Sequence, residues 1–183
     1  GDRDAISRIA DEFCEDCSKH NIRYVEARYS PQLFASNEET PEYAQKHGDL
    51  TPREVVKIIY WSNEIVSLAD DFRNEGVVAV DLAGGFKEGN AEFTPDEHKV
   101  AFNKAKTLNI HRTVHAGEAG PHTAVVEAIK ELYAERIGHG YHCRDDENTY
   151  NLVRSNDIHL ETCPISSICT GAVDEHETEF PVA

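Results

Sequence analysis

Ile6, Ile9, Ala10, Phe13, Cys14 and Cys17 recur at i, i+3, i+4, i+7, i+8 and i+11. That is the spacing of one helical face and predicts a helix over roughly residues 3–19. The next run, Ile22-Arg23-Tyr24-Val25-Glu26-Ala27-Arg28-Tyr29, reads as a strand ending at Ser30-Pro31. A polar loop over 36–49 leads to Thr51-Pro52-Arg53-Glu54, a capping box with proline at the first helical position. Val55, Val56, Ile58 and Ile59 continue that helix. Val77-Val78-Ala79-Val80-Asp81 is a short unbroken apolar run, the mark of a parallel strand covered on both faces. Thr94-Pro95-Asp96-Glu97 forms a second capping box and opens a helix to about Leu108. Ile110 to His115 reads as a strand. Gly120-Pro121 starts a helix with the stripe Val125, Ala128, Ile129, Leu132 and Tyr133. Arg136 to His139 is a short strand, residues 146–155 a helix, and Asp157 to Cys163 another strand. The tail from Gly171 to Ala183 carries no pattern.

Strands separated by helices of this length are βαβ units, and their sheet is parallel. Five strands are predicted, with polar residues at their C-terminal ends and no GxGxxG fingerprint after any of them. This fits an α/β fold of the (β/α)8 TIM-barrel type better than a doubly wound sheet. A whole barrel needs eight strands and ~250 residues. Residues 1–183 are therefore expected to be one domain, the central and incomplete part of such a barrel. The chain has no methionine, which points to an interior piece of a longer polypeptide.

Charge narrows the partners. A net charge of −16 argues against nucleic acid, which needs a basic surface, and leaves a small neutral substrate open. No apolar run approaches the ~20 residues of a membrane span, and Gly1-Asp2-Arg3-Asp4 does not open a signal peptide. Five cysteines, an odd number, do not make a disulfide framework and favour a reducing, cytoplasmic compartment. Cys14-Glu15-Asp16-Cys17, with His20 close behind, has CxxC spacing suited to a metal or to redox chemistry. Both thiols also continue the apolar stripe of the first helix, and that is the stronger reading.

Barrel enzymes place their chemistry at strand C-terminal ends. Those positions hold Glu26 and Arg28, Asp81, His115 with Glu118, His139 with His142, and Glu161 with Cys163. In Thr113-Val114-His115-Ala116-Gly117-Glu118-Ala119-Gly120, a histidine at a strand end precedes a glutamate across a glycine turn. Such an imidazole can ligate a metal while the carboxylate reaches past it to a substrate. Glu161, at the next strand end, is placed either to orient a histidine or simply to be solvated.

Four segments resemble the adenosine deaminase family, in order: Tyr24 to Pro31, Val80-Asp81-Leu82-Ala83-Gly84, Val114-His115-Ala116-Gly117-Glu118, and Arg136-Ile137-Gly138-His139-Gly140-Tyr141-His142. Glu161-Thr162-Cys163-Pro164-Ile165-Ser166-Ser167 matches a further motif. The resemblance implies a zinc-dependent aminohydrolase acting on adenosine or 2′-deoxyadenosine, a small purine nucleoside. It implies His115 as one ligand of a single Zn2+, and Glu118 as the group that exchanges a proton with purine N1. It further implies that His139 orients or deprotonates the water that zinc activates and that Gly84 offers its backbone amide to the ring. The His-Ala-Gly-Glu and Gly-His-Gly motifs are also similar to those of AMP and adenine deaminases. Gly48 to Pro52 and Asp81 to Gly84 favour the nucleoside enzyme. The cytidine-deaminase type, with His-x-Glu and Pro-Cys-x-x-Cys, does not match.

Several family features are not in these residues. The His-x-His metal pair of the first barrel strand and the Asp-Asp pair of the last, one of which is a zinc ligand in the family, are missing, and further helix and a strand are expected near 59–62. Gly85-Phe86 stands where the family has a polar or acidic pair. A catalytic zinc takes about three protein ligands, so the 183 residues alone are expected to be inactive. The competing readings are a truncated, non-catalytic binding protein and a related AMP or adenine deaminase.

Overall fold

A computed structural model describes residues 3–29, 63, 65–83 and 94–173. The helix expected after Thr51, the polar loop before it and Gly84 lie outside the described residues. The chain divides into two compact units, Gly1–Leu50 and Thr51–Ala183.

In the first unit, α1 spans Arg3–Lys19, as its periodicity predicts. It closes on Asn21, whose φ of 57° is left-handed. Asn21 N–H then bonds the Ser18 carbonyl at 3.1 Å and Ile22 N–H that of Cys17 at 2.9 Å, a Schellman closure with asparagine in glycine's usual place. Ile9 and Phe13 of the apolar stripe are exposed, Cys14 is exposed and Cys17 half-buried. The strand expected over residues 22–29 is not formed. An apolar-rich run becomes a strand only when a neighbour takes up its backbone hydrogen bonds, and among the described residues no strand pairs with it. Tyr24 and Tyr29 are exposed, and the Tyr24 hydroxyl donates to Glu26 Oε1 at 2.6 Å.

The second unit runs through a helical stretch over 65–71 (α2) and a 3₁₀ turn at Arg73–Glu75 into β1 (Ala79–Leu82). Then follow α3 (Asp96–Thr107), β2 (His111–Ala116), α4 (His122–Lys130) and β3 (Arg136–His139). A 3₁₀ turn at Tyr141–Asp145 leads to α5 (Glu147–Ser155), β4 (His159–Glu161) and α6 (Pro164–Cys169). The described sheet has four strands in the order β1-β2-β3-β4, every pair parallel, in place of the five expected. With a helix between successive strands this is the repeating unit of a (β/α) barrel, here incomplete.

The core lies between sheet and helices. Val80, Val114 and Ile137 of successive strands pack with Ala101, Phe102 and Ala105 of α3, Val125 and Ala128 of α4, and Val153 of α5, all buried. Each large apolar side chain removed from water contributes roughly 1.5–3 kcal/mol, so this layer holds the strand ends in place. Helix ends depart from expectation at two points. Thr94 does not cap α3: Pro95 is the N-cap, with ψ 141°, and its carbonyl accepts from His98 N–H at 3.0 Å, one residue later than the box requires. α4 stops at Lys130 and the chain turns at Tyr133, where φ is 54°, although Leu132 still reaches the core. Asp146 caps α5, its Oδ1 accepting from Thr149 N–H at 2.8 Å.

Candidate active site

β1, β2 and β3 deliver Asp81, His115 and His139 to the C-terminal end of the sheet, where Asp81 lies opposite Thr113, His115 opposite Gly138 and His139 opposite Ala116. His115 Nδ1 stands 3.2 Å from Asp81 Oδ1. A carboxylate there holds the proton on Nδ1 and turns Nε2 outward as a lone pair, which is the state a metal-ligating imidazole needs. The ring fits because its neighbour across the ladder is Gly138. A Cβ at Gly138 would come within 2.8 Å of His115 Cδ2 and 3.0 Å of its Nε2.

His139 ends β3 with φ 66°, followed by Gly140 at φ 73°. A non-glycine residue in the left-handed region is strained and marks a place where function overrides local preference. The turn is held by Gly140 N–H on the Ala116 carbonyl at 3.0 Å and His142 N–H on that of Gly117 at 3.1 Å. It brings the His139 ring within 5.5 Å of the His115 ring, centroid to centroid, and buries His139 to 4% exposure. Burial lowers the His139 pKa. The charges of Glu118 and Glu161 oppose this and that of His115 reinforces it, and the net shift is downward. His139 is thus a neutral imidazole at neutral pH, competent to accept a proton.

Glu118, in the loop after β2, places Oε2 3.5 Å from His139 Nε2. Its Oε1 accepts from Thr170 Oγ1 at 2.9 Å and from Ser167 Oγ at 3.3 Å. Ser167 Oγ also stands 3.2 Å from His139 Nδ1 and 3.0 Å from the Tyr141 hydroxyl. Glu161 faces Gly138 across the ladder, with Oε1 3.6 Å from Arg136 Nη1. His142 pairs with Asp145 at 2.7 Å at the surface.

Three of the four residues singled out from the sequence, His115, Glu118 and His139, are therefore brought together. The fourth, Gly84, lies outside the described residues. The sequence did not single out Ser167, Thr170 or Tyr141 as partners, although Ser167 and Tyr141 both stand inside family-like motifs. Among the described residues no group of three His, Cys, Asp or Glu side chains could hold a metal ion. His115, with Asp81 behind it, fits the role of one ligand and does not complete a set.

A profile of the family described as adenosine deaminase matches residues 1–183. The adenosine deaminase of Danio rerio is 43% identical over 209 residues, covering 100% of this chain and 58% of that protein. That of Bos taurus is 40% identical, covering 100% and 57%. This chain thus spans less than two thirds of the length of these relatives. The D. rerio match is also longer than this chain's 183 residues, so that relative carries sequence inside the matched span that this chain lacks. Among solved structures, the N6-methyl-AMP deaminase from Arabidopsis thaliana superposes with a TM-score of 0.52 at 28% identity, covering 64% of this chain and 33% of that one. The adenine deaminase from Arthrobacter aurescens gives 0.51 at 26%, covering 62% and 34%.

Proposed function

Because the chain belongs to the adenosine deaminase family, we propose that it is the central part of an aminohydrolase barrel that converts adenosine and 2′-deoxyadenosine to their inosine counterparts and ammonia. The observation that carries this reading is the His139–Glu118 contact of 3.5 Å, set beside His115 at the C-terminal end of a parallel sheet. A carboxyl group carrying its proton and a neutral imidazole at such a distance are an acid and a base sharing one site.

Each residue has a part to play. Water adds through oxygen to purine C6, and the electron pair displaced toward N1 must be met by a proton there. Glu118 supplies that proton, steadied by the two hydroxyls on its Oε1. His139, neutral because it is buried, takes the proton released by the attacking water. The amino group then takes the proton held by His139 and leaves C6 as ammonia, while the C6 hydroxyl returns its proton to Glu118 as the carbonyl forms. The Gly84 amide binds the purine ring. Zinc, when bound, would supply a Lewis acid that makes water nucleophilic near pH ~7, and His115 Nε2 would be one of its donors. In this reading the remaining donors come from parts of the barrel that residues 1–183 do not include. The 183 residues by themselves therefore do not turn over adenosine, and the sequence absent from the matched span falls near residues 59–62. All of residues 1–183 belong to a single barrel domain in this reading.

A phosphate-bearing substrate such as AMP fits less well with a net charge of −16, and the curated relatives named adenosine deaminase are the nearer in sequence. No helix among the described residues is long and apolar enough to cross a membrane. Five free thiols suit a reducing, cytoplasmic setting. The test is an assay of the whole protein with zinc against adenosine, 2′-deoxyadenosine, AMP and adenine, following ammonia release. The proposal requires the two nucleosides to be the fastest substrates. Preference for AMP or adenine, or no release from any of them, overturns it.

A further inference from the structure

Ser167 is a fully buried residue of α6 whose hydroxyl meets three polar groups at once. Glu118 Oε1 is 3.3 Å away, His139 Nδ1 3.2 Å and the Tyr141 hydroxyl 3.0 Å. A serine hydroxyl has one proton to give and two lone pairs to accept with, so these contacts use its whole capacity. Glu118 Oε1, which also takes the Thr170 hydroxyl proton, is the oxygen that only accepts. The serine proton therefore goes to Glu118. Both lone pairs are then left to accept, one from the Tyr141 hydroxyl and one from His139 Nδ1–H. The Tyr141 oxygen in turn accepts Cys163 N–H at 3.4 Å, and Thr170 gives Glu118 Oε1 its second donor. With a bare His139 Nδ1, the serine would have to donate to the ring, and its oxygen would face Glu118 lone pair to lone pair.

We propose that Ser167 is a positioning residue that fixes His139 in its Nδ1–H tautomer and turns the bare Nε2 toward Glu118 Oε2, the oxygen left to carry the carboxyl proton. The catalytic meaning of this rests on the function proposed above, whereas the tautomer itself does not. Ser167 needs no contact with substrate. It couples the two proton-handling groups by filling the inner side of each, leaving the outer nitrogen of His139 and the outer oxygen of Glu118 to work on the same proton.

The test is nitrogen NMR of the 183-residue chain labelled with 15N-histidine, at about pH 8, where an ordinary histidine of pKa ~6.5 is neutral. A His139→Gln variant identifies the His139 signals. The expected result is an Nδ1–H, Nε2-bare pattern for His139 in the wild type and in Ser167→Thr, and a shift toward the Nε2–H form in Ser167→Ala. A wild-type His139 with a bare Nδ1 overturns the proposal whatever the variants do, as does an unchanged tautomer in folded Ser167→Ala. In the whole zinc-loaded protein, Ser167→Ala should lower kcat by roughly 10–100-fold with KM little changed, the cost typical of removing a group that orients another. A tautomer shift in a whole protein that deaminates nothing would sustain this assignment and remove the deaminase reading alone.

Discussion

Gly138 and His115 face each other across the β2–β3 ladder, and the imidazole occupies the space where a side chain at 138 would be. Alanine there would bring Cβ to 2.8 Å from Cδ2 and 3.0 Å from both Cγ and Nε2. The ring cannot swing freely aside, because Nδ1 stands 3.2 Å from Asp81. Replacing glycine by alanine restricts the unfolded chain and stabilises by about 0.4–1 kcal/mol. Overpacking a filled site costs about 1–3 kcal/mol. The steric term is the larger, so Gly138→Ala should unfold at lower urea than the wild type. Equal or higher stability would mean that the ring has room to move.

Asp146 gives a pH signature separate from the site. Its carboxyl lies below the ordinary range because it accepts from the Thr149 backbone and side chain at the start of α5. A depressed folded pKa means that the folded chain binds fewer protons than the unfolded one. The stabilisation is complete above the ordinary aspartate value of ~3.9 and is lost as pH falls through the folded value. Asparagine caps helices about as well as aspartate but does not titrate. Asp146→Asn should therefore lose less of its urea midpoint than the wild type on going from about pH 5 to about pH 2.5. Parallel losses in the two proteins would remove Asp146 as the cause.

The α/β alternation could be read from the sequence where physics is local. The apolar run Val77 to Val80 leads into β1, where Val80 is buried while Val78 just before it stays exposed, and the stripes of α1 and α4 repeat at helical spacing. Residues 22–29 have the composition of a strand and form none among the described residues, since pairing is a property of the neighbour as much as of the run. The site divides in the same way. His115, Glu118 and His139 stand at strand ends beside Gly117, Gly138 and Gly140, and those glycines announce tight turns and close approach. Ser167 could not be read, because α6 is too short to show a period and its hydroxyl acquires meaning only when folding sets it against β3 and the loop after β2.

His115→Ala should separate the metal role from the proton roles. Removing the imidazole takes away a donor and leaves the Asp81 carboxylate without its histidine partner. In the whole protein, zinc content and adenosine turnover should fall together, the first measured by elemental analysis after dialysis. Full zinc retention would exclude His115 from the metal shell.

Glu118 carries the central claim. Its Oε2 stands 3.5 Å from His139 and its Oε1 is held by two hydroxyls, an arrangement suited to passing a proton and not to binding metal. Glutamine keeps the size and the hydrogen bonds but cannot shuttle a proton. The decisive measurement is adenosine turnover per bound zinc in the whole protein carrying Glu118→Gln. Loss of a general acid usually costs roughly 10²–10⁴-fold, so turnover should fall by that factor with zinc still bound at the wild-type level. Near wild-type turnover with zinc in place would contradict the account.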